Sequence, residues 1–140
     1  MKIVVTTPAG HIGSVVVDKL LDAGQKPVLV ARHPGKLQAA VDRGATVVQG
    51  GHADAKVLTE ATKGADALFV CVPANMTVTD IPGYYGSFAE AAAQAAKANG
   101  IAHVVLLSSV GADLAEGNGR NRNRQQRLVC LRRVFCRPCF

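Results

Sequence analysis

The 140-residue chain reads as an α/β fold, a doubly wound parallel sheet. Three observations predict it. Short runs of Val, Ile, Leu and Ala recur along the first 110 residues, too apolar for a sheet with one wet face. Helix-length segments separate them with short connections, the spacing of repeated β-α units with right-handed crossovers. A glycine (Gly24, Gly44, Gly64, Gly100) follows each helical segment, in the position that favours a left-handed residue.

Taken in order, residues 2–6 form the first strand, and 12–23 the first helix, with apolar positions at Val15, Val16, Val17, Leu20 and Leu21. A second strand at 27–31 leads to a helix over 34–43. A third strand at 45–49 leads to a helix over 55–63. The fourth strand is 66–72, and Pro73 and Pro82 bracket the loop after it. That loop lies at the carboxyl edge, where ligands bind in such sheets. A helix over 83–99 and a fifth strand at 102–108 complete the pattern. The resulting strand order is 3-2-1-4-5, a Rossmann-type arrangement.

The first strand breaks directly into Thr7-Pro8-Ala9-Gly10-His11-Ile12-Gly13, and a helix starts there. Strand, small-residue turn and helix are the layout of a nucleotide-phosphate site. Gly10 lets backbone N–H groups approach a pyrophosphate, and Gly13 lets helix and strand pack closely. Thr7 stands where a G-x-x-G-x-x-G spacing would place its first glycine. Arg32 ends the second strand, the position that faces the adenosine ribose in dinucleotide folds. An acid there bonds the 2′-hydroxyl of NAD, whereas an arginine accommodates the 2′-phosphate of NADP. Guanidinium meets phosphate with a bidentate fork, and Lys36 adds a second charge one turn on. The alternative role is a solvated arginine at the start of a loop.

Charge divides the chain. Residues 1–119 hold nine Lys/Arg and all ten Asp/Glu, while 120–140 hold seven Arg and no acid. Cys130, Cys136 and Cys139 also fall in this last stretch. We therefore expect two regions: a nucleotide-binding domain over 1–117 and a basic Arg/Cys-rich tail over 118–140. The abrupt change and the missing next β-α unit favour an out-of-register reading of the gene over a genuine basic tail. Cys136-Arg137-Pro138-Cys139 has CxxC spacing, but Cys130 alone cannot complete a four-ligand zinc site. The tail has only Phe135 and Phe140 as aromatics and no nucleic-acid module around it. Neither a metal nor a nucleic-acid partner is expected.

With MKIVVTTPAGHIGS, VLVAR, VVQGGHAD, GADALFVCVPAN and HVVLLSSVGAD in place, residues 1–117 resemble the NmrA-like branch of the atypical short-chain dehydrogenase/reductase superfamily. The resemblance implies NADP(H) as cofactor and hydride transfer to a quinone-like or other carbonyl acceptor, or else a redox sensor without turnover. It implies a pyrophosphate turn of Thr7, Gly10, His11, Ile12 and Gly13. Arg32 and Lys36 would hold the 2′-phosphate, and Val72, Pro73 and Ala74 would line the nicotinamide side. Ser109 would orient the acceptor carbonyl as the catalytic group; its other role is strand-end hydrogen bonding. The family usually has Gly-Asp-x-x-Asp where this chain has Gly50-Gly51-His52-Ala53-Asp54. The adenine-edge Asp is thus Gly51, and Asp54 is read as the cap of the next helix.

No Tyr-x-x-x-Lys pair follows Ser109. Such a pair lets a tyrosine exchange a proton near neutrality. The family's further strands and substrate lobe are also missing, so the expectation is weak NADPH binding, poor turnover and self-association through an exposed sheet edge. Cys71 is expected as a small buried residue inside the fourth strand. Of the histidines, only His11 is placed to approach a cofactor. No run reaches the roughly 18 apolar residues of a membrane span. The N-terminus has no leader pattern. A soluble cytoplasmic protein is the resulting expectation.

Overall fold

The computed structural model describes residues 1–75 and 77–107. Five parallel strands, β1 (Ile3–Thr6), β2 (Val28–Ala31), β3 (Thr46–Gln49), β4 (Ala67–Val70) and β5 (His103–Leu106), form one sheet in the order β3-β2-β1-β4-β5. That is the expected order. Four α-helices connect them: α1 (His11–Asp22), α2 (Gln38–Asp42), α3 (Ala55–Ala61) and α4 (Ile81–Asn99). The helix expected over 34–43 is divided, because Pro34–Leu37 forms a 3₁₀ turn before α2. Expectations for Ser109 and the 118–140 tail lie outside the described residues.

The central strands β1 and β2 are buried on both faces, as their unbroken apolar sequence requires. Alternation divides their side chains between two cores. Val4, Val28, Val30, Leu68 and Val70 face α3 and α4, where Leu58, Ala92 and Ala95 meet them. Ile3, Val5, Leu29 and Ala31 face the opposite side, with Val17 and Leu37. Alanines 91, 92, 95 and 96 are all buried on α4, and their small side chains bring that helix close to its neighbours. Its end is fastened to α3 by Asn99 Nδ2, which donates to Thr59 O at 2.7 Å and Thr62 Oγ1 at 2.8 Å. Gly100 then terminates α4 at φ +61; Gly24, Gly44 and Gly64 also sit at positive φ.

Helix caps aim the site loops. Asp54 accepts from the N–H groups of Lys56 (2.8 Å) and Val57 (3.4 Å), the capping role expected of it. Asp80 caps α4 through Gly83 N–H at 3.0 Å, which starts this helix two residues before the expected 83. The sheet edges are less covered than its centre. On β5, Val104 and Leu106 pack on the α3/α4 core, whereas Val105 and Leu107 are 56% and 40% exposed.

Candidate functional site

All five strands point their carboxyl ends to one rim, and β1 is the point where the order reverses. From β1 the chain moves outward to β2 and β3; β4 and β5 lie on the other side. A cleft of about 590 Å³ opens at this rim, lined by residues that follow β1, β2, β3 and β4. Crevices at such reversal points are the general ligand sites of open α/β sheets.

One wall is main chain. After β1, Thr7 adopts φ +50, the left-handed region that a β-branched residue rarely enters. Thr7 is the residue standing where a glycine was expected by spacing. Its carbonyl accepts from Gly10 N–H at 3.1 Å, closing the turn. Gly10 is the N-cap of α1 at φ −81, ψ 164, and no side chain caps the helix. The first N–H groups of a twelve-residue helix therefore open toward the cleft. Gly13 is sterically required: a Cβ there would lie 2.0 Å from Thr7 O. Gly10 is not, since its Cβ would meet the same oxygen at 3.4 Å. Ile12, half exposed, lies on this rim with His11.

At the end of β2, Arg32 and Lys36 border the cleft and are exposed. Among the described residues neither forms an ion pair, whereas Arg43 bridges Asp18 and Asp22 at 2.8 and 2.6 Å. Two cations are thus left uncommitted beside the open helix end.

The facing wall is held by long-range hydrogen bonds and rings. Cys71 N–H donates to Thr6 Oγ1 at 3.0 Å, and Thr7 Oγ1 donates to Cys71 O at 3.0 Å, tying the ends of β1 and β4 together. Val72, Pro73 and Ala74 continue from this tether along the cleft. Tyr84 Oη donates to Pro73 O at 2.9 Å and fixes that loop to α4. Phe88 joins the cluster, 5.0 Å from the Tyr84 ring and 5.1 Å from the His52 ring. Burial and the neighbouring Tyr85 hydroxyl raise the Tyr84 pKa, partly opposed by Arg32.

The ten residues expected at a nucleotide therefore border one cleft: the turn residues on one side, Arg32 and Lys36 at one end, and Val72 to Ala74 opposite. Two expectations need correction. Cys71 is not inside the fourth strand, since β4 ends at Val70; it is partly buried and borders the cleft. His11 is also not alone, for His33 and His52 border the same cleft. Parallel strands bring the residues after β2 and β3 to a common rim, which no local spacing of histidines displays. His52 is 8% exposed, and its Nδ1 has no hydrogen-bond partner among the described residues. Burial first, and then the Arg32 charge, lower its pKa below 6.5. Among the described residues no three His, Cys, Asp or Glu side chains gather as metal ligands. No helix among them is long and apolar enough to cross a membrane.

Sheet order, reversal-point cleft and open helix end together define a dinucleotide-type α/β domain. A family model for NAD(P)H-binding proteins matches residues 9–130, and the chain belongs to that family. No curated protein matches it. Solved structures share its fold. The NADPH-dependent quinone oxidoreductase QOR2 of Escherichia coli, crystallised with NADPH, is 24% identical with a TM-score of 0.70. The likeness covers 90% of this chain and 43% of that one. A triphenylmethane reductase of Citrobacter sp., complexed with NADP(H), is 18% identical with a TM-score of 0.73, covering 92% and 45%. A putative NAD-dependent epimerase/dehydratase from Bacillus halodurans is 22% identical with a TM-score of 0.74, covering 92% and 62%. The chain thus spans under half the length of the two reductases.

Proposed function

We propose that this chain is the NADP(H)-binding domain of an NmrA-like oxidoreductase acting on a quinone-like or other carbonyl acceptor. One observation carries the reading: among the described residues, Arg32 and Lys36 stand without carboxylate partners on the cleft that also receives the uncapped α1 N-terminus. Two sources of positive potential at one cleft suit a ligand with two separated phosphate groups. In this reading the α1 turn at Gly10–Gly13 takes the pyrophosphate, and Arg32 and Lys36 take the 2′-phosphate. Val72, Pro73 and Ala74 flank the nicotinamide. The bound cofactor would supply the hydride, while the protein orients it and excludes water. Ser109 is assigned to the acceptor carbonyl.

The quinone and dye reductases of the same fold support this choice of reaction class. The exposed Val105 and Leu107 support self-association beside β5. The second reading is an NADP(H)-binding sensor without turnover, which uses the same cofactor cleft.

Fluorescence titration of NADPH and NADH into the chain and into Arg32→Ala tests the cofactor assignment. A guanidinium–phosphate contact worth about 1.5–3 kcal/mol gives roughly a 10- to 100-fold preference for NADPH, lost in the variant. Equal affinities in the parent chain reject it. Absorbance at 340 nm with a quinone panel separates the two readings: oxidation supports the enzyme, and saturable binding without oxidation supports the sensor.

A further inference from the structure

His52 is the buried polar group that the nucleotide reading leaves unused. It follows β3, borders the cleft, and lies under Phe88 of α4 with its rings 5.1 Å apart. Only 8% of it is exposed, and Nδ1 has no partner among the described residues. A buried imidazole nitrogen without a partner is costly to keep and is available to a ligand. The ionisable groups around it are few. Arg32, His33 and Lys36 border the cleft from the β2 side, and Tyr84 comes from α4. The Asp54 carboxylate caps α3, and Glu90 on α4 is exposed. A cation-rich cleft thus surrounds an imidazole that has no carboxylate partner among the described residues.

We propose that His52 takes up a proton when a 2′-phosphorylated nucleotide binds, coupling that nucleotide's affinity to pH. The inference rests on the assignment of Arg32 to the 2′-phosphate. In the empty cleft, burial and the Arg32 charge keep the imidazole neutral to lower pH than usual. A docked phosphate offsets the Arg32 charge and places negative charge in the same cleft, which favours the imidazolium. One proton then moves from solvent to the ring in the window between the two His52 pKa values. The sign follows from linkage: the complex holds more protons than the separate partners, so binding tightens as pH falls through that window. Each pH unit by which binding raises the His52 pKa gives a complex about tenfold tighter below both values.

The test is calorimetric titration of NADP⁺ and NAD⁺ between pH 5.5 and 8, in two buffers of different ionisation enthalpy. Parent chain, His52→Gln and His52→Phe are compared. The ligand's own phosphate titrates near pH 6 in all three, so only the difference between parent and variants reports His52. The expected result is net proton uptake with NADP⁺ in the parent, reduced in both variants, with no such difference for NAD⁺. His52→Phe keeps the apolar contact with Phe88, so agreement between the variants separates charge from packing.

A second readout needs no nucleotide. With the folded pKa below 6.5, the unfolded chain binds the proton first, so the empty parent loses stability as pH falls below about 6.5. Both variants flatten that slope. A parent-like proton uptake in the variants, with NADP⁺ still preferred over NAD⁺, overturns the coupling alone. Equal affinity of the parent for the two nucleotides removes the Arg32 assignment and the coupling together.

Discussion

The two walls of the cleft are built by different means. The wall from β1 to the first turn of α1 is main chain, shaped by the contact between Gly13 and Thr7 O and by the turn bond from Gly10 N–H. The opposite wall, Val72 to Ala74, is backed by side chains: His52, Tyr84 and Phe88 pack as rings, and Tyr84 Oη fastens the Pro73 loop. The first wall joins residues seven or fewer positions apart. The second joins residues from 52 to 88, which only the folded sheet brings together. A backbone wall is specified by steric exclusion and tolerates little change at one position. A side-chain wall is specified by packing and spreads its contribution to stability over the whole helix face.

Phe88→Ala gives the largest expected effect. Phe88 is 7% exposed and touches both His52 and Tyr84. Removing a buried aromatic costs about 3–5 kcal/mol. Urea denaturation should show a large fall in midpoint, while the Gly10–Gly13 turn keeps its geometry. A loss under about 1 kcal/mol would mean that this wall is not held by its rings.

Gly13→Ala comes next and reverses the balance. The added Cβ meets Thr7 O at 2.0 Å, so the strand end and helix start must separate. Overpacking of this kind costs roughly 1–3 kcal/mol in stability. Because the same movement displaces the open helix end, NADPH affinity should fall by more than stability does. Parent-like NADPH affinity in the folded variant would place the phosphates somewhere other than this turn.

The difference between the walls also explains what the residues revealed before folding. The close packing at Gly13 and the Asp54 cap were legible because each acts through neighbours a few positions away. Strand order followed from the β-α alternation, and β1 to β5 lie within two residues of their expected limits. The role of Thr6 was not legible, because its partner Cys71 is 65 positions distant. His52 escaped notice for the same reason: its burial depends on Phe88 and its electrostatics on Arg32. A lone histidine after a pair of glycines carries no local signal. One feature gave a partial signal, the adenine-edge Asp replaced by Gly51, which leaves His52 as the ionisable side chain next to that position.

The smallest expected effect concerns Thr7, which belongs to both walls at once. Its backbone shapes the turn at φ +50, and its hydroxyl reaches Cys71 O across the cleft floor. The left-handed conformation costs a non-glycine residue roughly 1–2 kcal/mol. Thr7→Gly removes that strain but loses a hydrogen bond worth about 1 kcal/mol. It also adds about 0.5–1 kcal/mol of unfolded-state entropy. The terms nearly cancel, so the net change should stay within about 1 kcal/mol. Thr7→Val keeps the β-branched strain and loses only the hydroxyl, which should destabilise by about 1 kcal/mol. Chemical denaturation of the two variants side by side isolates the backbone term, with Thr7→Val expected at least as unstable as Thr7→Gly. A glycine variant weaker than the valine variant by about 0.5–1 kcal/mol would show that position 7 carries no strain. NADPH affinity supplies the other half of the comparison. Both substitutions remove the Thr7 bond to Cys71 O, so equal losses of affinity assign the effect to that bond. A loss confined to Thr7→Gly would assign it to the backbone angle of the turn, which Thr7→Val keeps.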